Sequence, residues 1–265
     1  MTVATRPIWL CCLALTLLSP ALVAAEETAR GLVLPDSPCE TAYWVKTGAE
    51  TGPTLLVLGG MHGDETAGYL AAEQLLTWEI KRGTLVVLPR AHRLAIERNE
   101  RAYPGNMNAM FPGDAQGDLM HRLAAAIWEL IKITKPDLLL TLHESVGFHR
   151  EEPERFGQTL TYDFEGLTPL MQLVLDRVNP DLLEEWEKFC LFVKPYKTCP
   201  TYCAGKWLNL RATSIETCRQ LPRDVRVREQ LMMVMGFMDH LGMDYAPAGD
   251  LPRLSTAPPS PGEAE

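Results

Sequence analysis

The chain has 265 residues, 46% apolar and 22% charged, with a formal net charge of −9. That length and balance suit one well-buried core and a single globular domain. The acidic balance argues against a nucleic-acid partner, because phosphate binding calls for a basic patch.

Arg6 is the only charged side chain before Glu26, residues 8–18 form an apolar run, and small residues follow at Ala21, Ala24 and Ala25. This pattern predicts a secretory signal peptide over 1–25, too short for a confident membrane span, and export to the periplasm or beyond. An uncleaved anchor is the competing reading. Of the seven cysteines, Cys11 and Cys12 leave with the signal. An oxidising compartment would then permit two bridges among Cys190, Cys199, Cys203 and Cys218, with Cys39 unpaired, although spacing does not fix the connectivity.

Short strands are expected at 31–34 and 41–46. The organising stretch follows at 54–68, TLLVLGGMHGDETAG. An apolar run, Leu55 to Leu58, is stopped by Gly59-Gly60, and a helical stripe then carries Leu70, Leu75, Leu76 and Ile80 to about Gly83, with Thr66 as N-cap. A buried strand at 84–88 completes a strand, helix, strand order, which implies a right-handed crossover and a parallel pair. Residues 90–117 read as a long polar loop of the kind that builds a site or a lid. Asp118 caps a helix with Leu119, Leu123, Ile127, Leu130 and Ile131 on one face, ended by Pro136. A strand over 137–142 delivers His143-Glu144, and a second polar loop covers 145–158.

A strand is expected at 159–164, then a helix from Thr168-Pro169, interrupted at Asn179-Pro180 and resumed over 181–189. Strands at 191–193 and 212–216 flank a cysteine-containing loop. Pro222 opens a last helix with a methionine stripe, which is core packing. Residues 246–265 read as a disordered proline-rich tail. The whole is a domain over 26–245 of α/β class, a three-layer sandwich around a mostly parallel mixed sheet.

In His62-x-x-Glu65 the imidazole and carboxylate can point the same way from one turn, and both suit Zn²⁺. The same residues also fit a glycine-rich turn with a capping acid and a surface histidine. His143 ends another buried strand, and in open α/β sheets sites form beyond the carboxyl ends of strands. By itself it reads equally well as a strand-end histidine bonded to backbone. A catalytic zinc takes three protein ligands and keeps one open position, and His62, Glu65 and His143 supply that count. His92, His121, His149 and His240 lack ligand spacing and are assigned to surface or packing, and Asp64 to support of the ligands or to the turn.

Four segments, GGMHGDETAG, NMNAMFPG, LTLHES and TSIETC, resemble as a set the zinc hydrolases that include carboxypeptidase A and the succinylglutamate desuccinylase and aspartoacylase group. The LHES segment followed by GFH looks most like the cell-shape carboxypeptidases that trim peptidoglycan peptides. The resemblance implies the zinc carboxypeptidase-like fold, one zinc held by His62, Glu65 and His143, and Glu216 as the catalytic carboxylate. Glu144, beside a ligand, is a weaker candidate for that role. In the aspartoacylase group an arginine stands seven positions ahead of the motif asparagine. That relation assigns Arg101 to the oxyanion and Asn108 to substrate binding, with Arg98 and Arg93 as alternatives to Arg101. The family motif reads Asn-Arg, and its arginine grips a substrate carboxylate, whereas this chain has Asn108-Ala109. Arg150 or Arg155 is the expected replacement; the alternative is a substrate without a carboxylate at that position.

The expected activity is therefore an exported zinc metallocarboxypeptidase acting on envelope peptides such as peptidoglycan stems. The alternatives are an N-acyl amino acid deacylase and an inactive zinc-binding homologue. The expected partners are a small peptide or acyl amino acid, with no nucleic acid and no stable membrane insertion after signal cleavage.

Overall fold

A computed structural model describes residues 27–162 and 167–249. The expected signal peptide and nearly all of the expected tail lie outside them. Among the described residues no helix is long and apolar enough to cross a membrane.

The strands are β1 (Glu27–Val33), β2 (Thr41–Thr47), β3 (Glu50–Gly59), β4 (Glu79–Leu88), β5 (Leu138–Ser145), β6 (Thr159–Tyr162), β7 (Cys190–Val193), β8 (Ala212–Cys218) and β9 (Asp244–Ala246). They form one sheet in the order β1-β2-β4-β3-β5-β8-β6-β7, with β9 added beside β4. The centre, β4-β3-β5-β8, is parallel. The pairs β1-β2 and β2-β4 and the β6-β8 junction are antiparallel. Continuous apolar runs explain the parallel centre: Leu55 to Leu58 and Leu138 to Leu140 are all fully buried, as strands covered on both faces must be.

The helices are α1 (Thr66–Leu75), α2 (Arg93–Arg98), α3 (Leu119–Thr134), α4 (Thr168–Val178), α5 (Pro200–Leu208) and α6 (Arg223–Leu241). One face of the sheet packs with α1, α4 and α6 around Trp78, Val174 and Phe237. The other face packs with α3 around Met107, Leu123 and Ile127. This is the expected three-layer α/β sandwich with a mostly parallel mixed sheet. The methionines of α6, among them Met233 and Met238, are core residues, and Asp118 caps α3 by accepting from the amides of Met120 and His121 at 3.0 Å.

Several boundaries differ from the sequence reading. Helix α1 stops at Leu75, and Ile80 belongs to β4, where it pairs with Tyr245 of β9; a short-range stripe does not show that long-range pairing. The 90–117 segment contains α2 and a 3-10 turn, Met107–Ala109. Residues 181–189 do not resume a helix. They hold a 3-10 turn, Glu185–Glu187, followed by an extended connection into β7. The cysteine-containing loop holds α5, with the Cys199 side chain at its N-cap and Pro200 at its first position. Among the described residues Cys39, Cys190, Cys199, Cys203 and Cys218 form no disulfide, so the two bridges are not formed.

Beneath the parallel strand ends, α6 carries a fully buried carboxyl, Glu229, whose Oε2 accepts from Gln158 Nε2 at 3.1 Å. Burial pushes its pKa up to about 7, against the Gln158 hydrogen bond, which favours the ionised form. The folded state therefore holds this proton where the unfolded chain has lost it, and stability falls as pH rises from about 4.5 to about 7. Glu229→Gln is expected to stabilise the protein at pH 8 by up to about 3 kcal/mol and to change little at pH 4. Urea denaturation at the two pH values checks this, and an equal effect at both would refute it.

Candidate metal centre and active-site cleft

The carboxyl ends of β3 and β5 lie side by side, with Gly59 paired to Leu142. Beyond β3 the chain turns through Gly60 at φ +67° and then Gly63, where a Cβ would stand 2.0 Å from the carbonyl carbon of Ala95. Only glycine accepts the first conformation without strain and fits the second approach. The turn so made places His62 and Glu65 at the head of β3, facing His143 at the head of β5.

The three side chains are buried, at 2%, 2% and 5% exposure, and meet around one carboxylate. His62 Nδ1 lies 2.7 Å from Glu65 Oε1, and His143 Nδ1 lies 2.8 Å from Glu65 Oε2. The two imidazole rings stand 5.1 Å apart, tilted by 50°. One donor atom from each residue falls within a 4.8 Å cluster. Glu65 also accepts from Arg101 Nη1 at 2.7 Å and from the Glu144 amide at 3.2 Å. Thr66 does not cap α1. Glu65 occupies the N-cap position with its carboxylate turned to the histidines, and the Ala67 amide donates instead to Glu144 Oε2 at 2.8 Å. Glu144 thus closes the helix end, and Arg226 donates to its other oxygen.

Burial would raise the Glu65 carboxyl, yet the imidazoles of His143 and His62 hold it well below the usual carboxylate range. Burial pushes His62 down, which keeps its ring neutral. Burial acts the same way on His143, but Glu65 and then Glu216 outweigh it and raise its pKa. Two imidazoles and one ionised carboxylate are the donor types zinc takes, and three such ligands leave a position open. These residues fit a catalytic zinc.

Glu216 sits on β8 directly beside His143, which pairs with it in register. Enclosure raises its pKa to about 8, with His143 opposing and Glu65 adding to the rise. It lines a cavity of about 520 Å³ together with the three clustered residues, Arg101 and Asn108. The site residues read from sequence therefore converge, apart from Arg150. That side chain does not line the cavity; its Nε donates to the Lys188 carbonyl at 3.0 Å. Arg155 is tied to Glu152 at 3.0 Å. Asp64 pairs with Arg219 at 3.0 Å, which ties the turn to the end of β8. His92 is fully buried and bonded to the Gly105 carbonyl, a packing role as expected.

The far wall escaped the sequence reading. Lys194, Pro195, Tyr196, Cys199, Pro200 and Thr201 line the same cavity as the His62, Glu65 and His143 cluster. They come from the segment that leaves β7 and enters α5. Pro200 at a first helical position was the available signal, masked because cysteine is not an ordinary cap.

Residues 51–146 match the family model of the succinylglutamate desuccinylase/aspartoacylase catalytic domain. N-alpha-acetyl-L-2,4-diaminobutyric acid deacetylase of Halomonas elongata is 34% identical over 98 residues, which cover 35% of this chain and 28% of the deacetylase. Among solved structures, a variant of the cell shape determinant protein Csd4 of Helicobacter pylori superposes with a TM-score of 0.70 at 25% identity, covering 76% of this chain and 54% of that one. A succinylglutamate desuccinylase/aspartoacylase of Rhodobacter sphaeroides gives 0.64 at 17% identity, covering 89% and 68%, and shares the fold. The chain thus spans about half of Csd4 and little more than a quarter of the deacetylase.

Proposed function

Because the chain belongs to the superfamily that joins carboxypeptidase A-like zinc hydrolases with the succinylglutamate desuccinylase/aspartoacylase group, we propose that it hydrolyses an amide bond with the aid of one zinc. The observation that carries this reading is the convergence of His62, Glu65 and His143 on one point at the floor of a cavity that Glu216 also lines. His62, Glu65 and His143 would hold the ion. Zinc, when bound in such a site, polarises a carbonyl and lowers the pKa of coordinated water toward 7.

The protein's own groups do the rest. In its ionised form Glu216 accepts the proton of the attacking water and passes it to the departing amine, general base and then general acid. Arg101 projects over Glu65 and supplies positive charge where the oxyanion develops. Asn108, on the 3-10 turn at the cavity wall, orients the substrate amide. Glu144 has no part in proton transfer, because both its oxygens are engaged in holding α1 and α6.

The substrate we favour is a short peptide of the cell envelope, such as a peptidoglycan stem, cleaved by an exported carboxypeptidase. Export rests on the Arg6 and apolar-run pattern at the N-terminus. The likeness to Csd4, which one solved form describes as a D,L-carboxypeptidase, supports the peptide. A second reading, an N-acyl amino acid deacylase, draws on the 34% identity of the motif-bearing part to the Halomonas deacetylase. Incubating the zinc-loaded protein with muropeptides and with N-acyl amino acids separates the two. Release of a terminal residue from the first panel is expected, turnover of the second alone would establish the deacylase, and turnover of neither would overturn hydrolysis.

A further inference from the structure

Three carboxyl groups, Glu65, Glu144 and Glu216, and two cationic side chains, Arg101 and Lys194, line the cavity. Arg101 is already engaged with Glu65 at 2.7 Å. Lys194 lines the same cavity, just past the end of β7, where its backbone amide donates to the Tyr162 carbonyl at 3.3 Å. Its ammonium lies 5.9 Å from the ring centroid of Phe192. That ring packs on His149 at 4.5 Å and on Phe156 at 5.0 Å, and Phe156 itself lines the cavity. Among the described residues no carboxylate pairs with Lys194. The aromatic cluster backs the lysine at the rim, and Tyr196 and Thr201 furnish hydroxyls on the same wall.

A substrate carboxylate entering this cavity finds Arg101 already paired with Glu65, and Lys194 paired with no carboxylate among the described residues. Ala109 cannot form an ion pair, and Arg150 and Arg155 are engaged with Lys188 and Glu152. We propose that Lys194 determines specificity by receiving a free carboxylate of the substrate, which directs the scissile carbonyl toward His62, Glu65 and His143. This rests on the hydrolase reading for the word substrate; the carboxylate site itself does not. The ligand class is an amide that bears a carboxylate on the side facing β7 and α5. Long-range pairing with β6, which is invisible in a linear reading, brings residue 194 to the cavity.

Two arms test this with full-length protein. In the first, succinate binding is measured by calorimetry on wild-type protein, Lys194→Met and Lys194→Arg, each with and without zinc. Wild type and Lys194→Arg are expected to bind alike and Lys194→Met about 10-fold more weakly in both metal states, a modest factor because the lysine is exposed to solvent. In the second arm, dipeptides and N-acetyl amino acids are supplied with the terminal carboxylate free or amidated. Lys194→Met is expected to raise KM about 10-fold for the free acids, with kcat nearly unchanged and no change for the amides. Equal succinate binding by wild type and Lys194→Met would overturn the proposal, as would an equal loss on free and amidated substrates. If wild type turns over neither panel, hydrolysis fails, and the succinate arm still decides the role of Lys194.

Discussion

Glu216→Gln is expected to lower turnover by about 10³-fold while the protein still binds one zinc and melts no lower than the wild type. The amide is nearly the same size as the carboxyl and keeps a hydrogen-bonding group at the head of β8, so the register with His143 is undisturbed. What it cannot do is take a proton from water. The substitution also removes a titratable group that burial raises to about 8 beside Glu65 and Glu144. At neutral pH the metal-free folded protein holds that proton where the unfolded chain has lost it, so removing the group is expected to stabilise the metal-free protein, as at Glu229. Steady-state kinetics with zinc content measured on the same sample is the check. Retention of more than a tenth of the activity would remove Glu216 from the mechanism and reopen the case for another group in the cleft.

His143→Ala is expected to abolish stoichiometric zinc binding, and with it all turnover. One ligand in three is lost, and the open cavity would leave the ion largely to solvent. The wild-type fold should gain about 4 kcal/mol when free zinc stands 1,000-fold above the dissociation constant, a rise in melting temperature of roughly 10 °C for a domain of this size. The variant should show no such rise. It should also be less stable than the wild type without metal, because Glu65 loses one of the two imidazoles that hold its charge in a buried place. The two effects separate cleanly: the metal-free difference is structural, and the missing response to zinc belongs to the site. A zinc-dependent rise equal to that of the wild type would show that His143 is not a ligand.

The centre of the fold was legible because its strands are buried on both faces and so read as unbroken apolar runs, Leu55 to Leu58 and Leu138 to Leu140. Their glycine and histidine ends marked where the cleft would open, and His62, Glu65, His143 and Glu216 all lie there. Legibility failed where long-range pairing decides the local state. Ile80 looked helical by spacing and is a strand residue because β9 pairs with it. Residues 181–189 carry an acidic, apolar mixture that suits a helix, yet the backbone amide and carbonyl of Phe189 are held by the Asn179 side chain, and the chain stays extended into β7. By charge and proximity in sequence alone, the replacement for the missing arginine falls in the second polar loop, at Arg150 or Arg155, unless the substrate lacks a carboxylate there. The sheet order brings Lys194 to the cleft instead.

The most direct test is a crystal structure of the protein grown with zinc, with anomalous data collected on both sides of the zinc edge. A single peak is expected about 2.0–2.2 Å from the Nδ1 atoms of His62 and His143 and from a carboxylate oxygen of Glu65, open toward the Glu216 side. A peak bound elsewhere, or none at millimolar zinc, would contradict the account.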